Sequence, residues 1–193
     1  MDAFLASTAV VALAEVGDKT QLLAILLATR FRKPVPIIGG ILAATLVNHF
    51  LAAWVGHSIA GLLDGPVFRY AVAAGFIAMG LWTLIPDKID DDLKTPSHSG
   101  VFVTTLVSFF ILEMGDKTQV ATIALGAQFG TSFAELLAVT AGTTLGMMIA
   151  NVPAVYLGEA LIKRVPLAAV RAVAAALFLG LGLWLLASLR GWL

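Results

Sequence analysis

The 193-residue chain contains no cysteine, which removes disulfides, thiolate metal sites, iron–sulfur clusters and cysteine nucleophiles together. Charge is almost as scarce. Asp, Glu, Lys and Arg make up 12% of the residues, where soluble domains carry about a quarter. Twelve basic residues balance twelve acidic ones, so nothing points to nucleic acid or to a polybasic membrane-surface binder. What the chain has instead is apolar bulk: 60% hydrophobic residues and a mean hydropathy of +0.96. That is the composition of an integral membrane protein. The positions of its few charges then carry most of the information, because a charge inside a bilayer is costly and usually functional.

About twenty apolar residues cross the hydrocarbon core. No Asp, Glu, Lys or Arg occurs from Pro34 to Leu63, Tyr70 to Pro86, Leu136 to Gly158 or Ala172 to Leu189, which predicts four spans. Two further apolar stretches, 3–29 and 101–129, carry charges at their centres. The expected fold is therefore an all-α integral membrane protein with six transmembrane helices. The first stretch has a signal-peptide-like Ala12-Leu13-Ala14 but opens on Asp2 without Lys or Arg, so it is expected to be retained as a span. Loops after spans 1, 3 and 5 hold Arg30, Arg32, Lys33, Lys88, Lys94, Lys163 and Arg164, with Arg171 at that interface; the other side has Arg69 and Arg190. The positive-inside rule then puts the odd loops in the cytoplasm and both termini outside. The polar segment 87–100 reads as a cytoplasmic acidic linker. Its Asp90, Asp91 and Asp92 lack the spacing and central glycine of a calcium loop.

The chain repeats itself. Glu15-Val16-Gly17-Asp18-Lys19-Thr20-Gln21 recurs as Glu113-Met114-Gly115-Asp116-Lys117-Thr118-Gln119, with six of seven positions identical. Asn48 has a counterpart in Asn151, and Gly80-Leu81-Trp82 in Gly182-Leu183-Trp184. The division is a first three-helix repeat at 1–86, the linker at 87–100 and a second three-helix repeat at 101–193. Three is odd, so the second repeat enters the membrane from the opposite side and the repeats are inverted. Secondary transporters are built this way, with sites near the midplane where the repeats meet.

On a continuous helix, Glu15, Asp18 and Lys19 share one face, and so do Glu113, Asp116 and Lys117. Six charges at mid-membrane cost about 2.5–3.5 kcal/mol each before pairing. Pairing Glu15 with Lys19 offsets part of this, yet each motif keeps one surplus negative charge. Two motifs together make a pocket of net charge minus two, which a divalent cation neutralises. The available donors are oxygens: the carboxylates of Glu15, Asp18, Glu113 and Asp116, with Thr20, Thr118, Gln21, Gln119, Asn48 and Asn151 adding to them. Such a set suits hard ions such as Ca²⁺, Mn²⁺ and Mg²⁺, whereas zinc and copper favour Cys and His. Gln21 and Gln119 fall on a different helical face from the glutamates. Gly17 and Gly115 permit either close helix approach or an opened backbone carbonyl. His49 adjoins Asn48, but its repeat counterpart is Val152, which weakens a role as ligand or proton relay. Gly142 and Gly146 have the spacing of a close helix crossing.

The doubled E-x-G-D-K-T motif, at Glu15, Gly17, Asp18, Lys19 and Thr20 and again at Glu113, Gly115, Asp116, Lys117 and Thr118, resembles the calcium–cation antiporter-2 family. That family includes Golgi and chloroplast manganese/calcium transporters and MneA-type bacterial manganese exporters. The resemblance covers nearly the whole chain. It implies export of Mn²⁺ or Ca²⁺ from the cytosol in exchange for protons, with the acidic motif residues binding the ion. It also implies no enzymatic activity, no cofactor beyond the transported ion, and residence in a bacterial plasma (inner) membrane in contact with lipid. In the mechanism expected from the residues, metal entering from the cytoplasm displaces protons and protons outside compete the metal off. Lys19 and Lys117 hold the motif geometry and stand in for the cation in the empty site. Two other readings use the same features. One is an exporter of a monovalent ion or small cationic metabolite. The other is an intramembrane metal-dependent enzyme with Glu15 or Glu113 as general base, disfavoured because no nucleophile constellation accompanies them.

Overall fold

A computed structural model describes residues 2–63, 65–85, 100–158, 160 and 165–191. The linker up to Ser99, with Lys88, Asp90, Asp91, Asp92, Lys94 and His98, lies outside the described residues, as do Lys163, Arg164 and Trp192. The described part is all-helical: α1 (Ala3–Ala14), α2 (Lys19–Phe31), α3 (Pro34–Leu62), α4 (Pro66–Thr83), α5 (Val101–Glu113), α6 (Lys117–Phe129), α7 (Phe133–Leu157) and α8 (Leu167–Leu189).

Local chemistry sets the ends. The Asp2 side chain accepts from the backbone N–H groups of Phe4 and Leu5 at the start of α1, a standard acidic N-cap. Proline opens α3 and α4, where its missing N–H has no partner to lose. Ser132 and Glu135 form a capping box at the start of α7.

Four helices, α3, α4, α7 and α8, are long and apolar enough to cross a membrane. The two motif-bearing stretches are not single helices. Each is broken at the motif, leaving α1 with α2 and α5 with α6, of 12 or 13 residues apiece. At 1.5 Å per residue each half is about 18–20 Å long, short of the roughly 30 Å hydrocarbon core. The expectation that Glu15, Asp18 and Lys19 share a continuous helical face is therefore corrected. A glycine in the left-handed region ends the first half-helix before Asp18 begins the second.

The helices pack reciprocally. α1 lies against α7, α5 against α3, and α4 against α8. A Cβ on Gly142 would come 2.5 Å from the Phe4 carbonyl and one on Gly146 2.7 Å from the Thr8 carbonyl, so α1 and α7 run parallel in near backbone contact, as the glycine spacing predicts. Gly40 of α3 meets Phe102 and Thr105 of α5 in the same way, and Asn48 bonds further along to Phe110; these helices are also parallel. Gly80 faces Ala175 and Leu179, while Gly182 faces Ala73 and Ile77, so α4 and α8 are antiparallel.

Burial is inverted relative to a water-soluble protein. Leu42, Leu46, Trp54 and Leu62 of α3 point outward, and on its inner side Thr45, Asn48 and His49 are buried. An apolar exterior around a polar interior fits lipid as the solvent, and the protein is a multi-pass membrane protein.

Candidate cation-binding site

Both motifs adopt the same backbone. Gly17 has φ +83° and Gly115 φ +81°, a conformation in which an L-residue is strained. Asp18 follows at φ −80°, ψ 166° and Asp116 at φ −81°, ψ 169°, each as the N-cap residue of the second half-helix. The Asp18 N–H donates to the Glu15 carbonyl, and the Asp116 N–H to the Glu113 carbonyl, both at 3.1 Å. Gln21 Oε1 accepts from the Gly17 N–H at 2.9 Å, and Gln119 Oε1 from the Gly115 N–H at 2.7 Å. Each glutamine thus seals the backbone of its own break, and Gln21 also donates to the Ala150 carbonyl at 2.9 Å. The end of one half-helix and the start of the next meet at each break, bringing partial negative and positive charge to the motif.

The side chains then cross between motifs. Glu15 is fully buried. Its Oε2 accepts from the Thr20 hydroxyl at 2.5 Å, and its Oε1 accepts from the Thr118 hydroxyl of the second motif. Lys19 Nζ lies 3.0 Å from Asp116 Oδ1, again across the motifs. Glu113 is 2% exposed. Among the described residues neither of its carboxylate oxygens has a hydrogen-bond partner, and Oε1 stands 3.6 Å from His49 Nε2. Glu15, Glu113, Asp116, Lys19 and His49 are near enough for their charges to interact. Asp18 lines a small cleft with Gly17, Lys117 and Arg171. Lys117 Nζ donates to the Ile85 carbonyl at 2.9 Å and sits 5.9 Å from the Trp82 ring centroid.

The two midspan asparagines are anchored by their amide groups. Asn48 donates to the Phe110 carbonyl at 3.1 Å and Asn151 to the Met147 carbonyl at 3.1 Å. Each leaves its Oδ1 buried without a hydrogen-bond partner among the described residues. Among those residues no three His, Asp or Glu side chains converge as a closed metal site. The geometry is a buried, acid-rich chamber with oxygen acceptors left over. His49 is the member that repeat symmetry hid, since Val152 occupies the corresponding place; its neighbour Asn48 was the signal pointing to that turn of α3.

A family model described as divalent cation/proton antiporter GDT1 matches residues 3–91 and again 101–191. A protein named "Putative manganese exporter" from Vibrio cholerae serotype O1 is 48% identical over 173 residues, covering 90% of this chain and 84% of that protein. A GDT1-like protein of Synechocystis is 29% identical, covering 86% and 87% of the two chains. GDT1-like protein 4 of Oryza sativa is 26% identical, covering 94% of this chain and 72% of its own length. No solved structure matches significantly. The chain belongs to the GDT1 family of divalent cation/proton antiporters, and it is a membrane cation transporter rather than an enzyme.

Proposed function

We propose that this protein exports Mn²⁺, with Ca²⁺ as the second candidate, from the cytoplasm in exchange for protons. The observation that carries the reading is the bond from Thr118 of the second motif to Glu15 of the first, joined by the Lys19–Asp116 pair. Motifs almost a hundred residues apart share one buried chamber. Within it Lys19 compensates Asp116, which leaves Glu15 and Glu113 as two neighbouring carboxyl groups. Ionised together, they match the charge of one divalent ion.

The proposed ligands are Glu15, Asp18, Glu113 and Asp116, with oxygens of Asn48, Asn151, Thr20 and Thr118 completing the shell and Gln21 and Gln119 holding the breaks. Metal and protons compete for the same carboxylate oxygens, which couples the two fluxes. Loading draws Glu15 from its hydroxyl partners onto the ion. Lys19 then either stays on Asp116 or yields that carboxylate to the metal. The scaffold in this reading is six spans in two inverted three-helix repeats, with α1–α2 and α5–α6 each forming one interrupted span. The reciprocal packing of α1 on α7 and α5 on α3, the antiparallel α4–α8 pair and the double match to the family model all support it. Rocking of one repeat against the other opens the chamber to each side in turn. The excess of Lys and Arg in the odd loops supports cytoplasmic placement of the linker and external termini in a bacterial plasma membrane.

The test is Mn²⁺ flux by purified protein in liposomes under an imposed pH gradient. Flux is expected to follow the gradient and to vanish in the Glu15→Gln, Asp116→Asn double variant; undiminished flux in that variant sinks the proposal.

A further inference from the structure

We propose that His49 is a ligand of the transported ion, a nitrogen donor that acts with Glu113 to favour manganese over calcium. The inference rests on the exporter reading above and names what sets its ion preference.

His49 is 0% exposed and lies on the inner side of α3 beside Asn48. Among the described residues neither ring nitrogen has a hydrogen-bond partner, and neither does either oxygen of Glu113. Burying so many unsatisfied polar atoms in one place is costly, and such a set persists where something else satisfies it. Nε2 and Glu113 Oε1 are 3.6 Å apart, too far for a hydrogen bond and close to the separation of adjacent donors on one cation. With each at about 2.3 Å from an ion, they subtend roughly 100° at the metal. The Asn48 carbonyl oxygen, also without a hydrogen-bond partner among the described residues, belongs to the adjacent residue.

The chemistry decides what this donor does. Ca²⁺ is held by six to eight oxygens, and an imidazole in place of one of them weakens its site. First-row transition ions accept imidazole, with affinity rising from Mn²⁺ toward later members of the series. A nitrogen on the Glu113 side alone also makes the two half-sites chemically different, since Val152 holds the corresponding place in the other repeat.

The test uses the full-length protein in lipid nanodiscs loaded with Mn²⁺, read by pulsed electron paramagnetic resonance for coupling between manganese and histidine nitrogen, with ¹⁵N-histidine labelling to identify the source. Coupling is expected in the wild type and in His57→Asn, the ring of His57 being bonded to the Gly130 carbonyl, and is expected to be lost in His49→Gln. In liposomes, His49→Gln is expected to lower the Mn²⁺/Ca²⁺ transport ratio by about tenfold, the low end of what a lost group around a metal costs. Competition by Co²⁺ is expected to weaken in the same variant. Bound Mn²⁺ without histidine coupling in the wild type overturns the proposal and leaves the exporter reading standing. A variant that loses Mn²⁺ and Ca²⁺ flux equally, with the ratio unchanged, also overturns it, because a merely structural histidine would do that. Wild-type protein that neither binds nor moves Mn²⁺ overturns both.

Discussion

The two motif breaks are alike in backbone and unlike in side-chain engagement. Gly17 and Gly115 differ by two degrees in φ, and Asp18 and Asp116 by a few degrees in φ and ψ. Yet Glu15 is held by two threonine hydroxyls, whereas Glu113 has no hydrogen-bond partner among the described residues and faces a histidine. Lys19 reaches across to Asp116, while Lys117 extends to the end of α4 at Ile85 and Trp82. Equivalent sequence has produced equivalent local structure and inequivalent surroundings. In the alternating-access reading proposed above, matched backbones in unlike surroundings let the two motifs differ in what they expose.

The sharpest way to break the comparison is to neutralise each glutamate in turn. Glu15→Gln keeps one accepting oxygen and replaces the other with an amide donor, so the bonds from Thr20 and Thr118 cannot both survive as they are. It is expected to lower stability by about 2 kcal/mol, since mispairing a buried hydrogen-bonding group costs about 1–3 kcal/mol. Glu113→Gln removes a buried carboxyl group that no described hydrogen bond supports, and is expected to raise the melting temperature while abolishing Mn²⁺ flux, as functional sites held at a cost in stability do. Thermal unfolding in detergent beside liposome flux reads both. Melting shifts of the same sign would remove the asymmetry from the account.

A smaller effect sharpens the claim that the backbones match. Gly17→Ala and Gly115→Ala should each cost about 1–2 kcal/mol for placing a Cβ in the left-handed region. Gly17→Ala should cost more, because its Cβ would lie 2.9 Å from a methyl of Leu167, while none of the described residues stands within 4 Å at Gly115. Equal shifts in denaturation midpoint would contradict that difference. The smallest expected contrast is between the glutamines. Gln21→Leu loses bonds to Gly17 and Ala150, Gln119→Leu, among the described residues, only the one to Gly115. At about 1 kcal/mol per bond, the first should exceed the second by about that amount, and hydrogen exchange at the two glycine amides should report it.

Much of this was legible before any coordinates. Uncharged runs located α3, α4, α7 and α8, because a helix in lipid must satisfy its backbone internally and be apolar along its length. The recurrence of Glu15 to Gln21 at Glu113 to Gln119 marked where the chemistry lies. Two things were not legible. Gly17 reads equally as a packing glycine or a chain break, and helical spacing alone put Glu15 and Lys19 on one face. The partner of Lys19 is Asp116 instead, which no periodicity within a single span can disclose.

The sequence by itself determined the solvent, the four long apolar helices and the doubled acidic motif, since these follow from composition and spacing along the chain. Only the tertiary structure decided that Thr118 serves Glu15, that Lys19 serves Asp116 and that His49 stands against Glu113. Those pairings join residues tens to about a hundred positions apart. They depend on which helices pack, and the close approaches at Gly40, Gly142 and Gly80 set that packing.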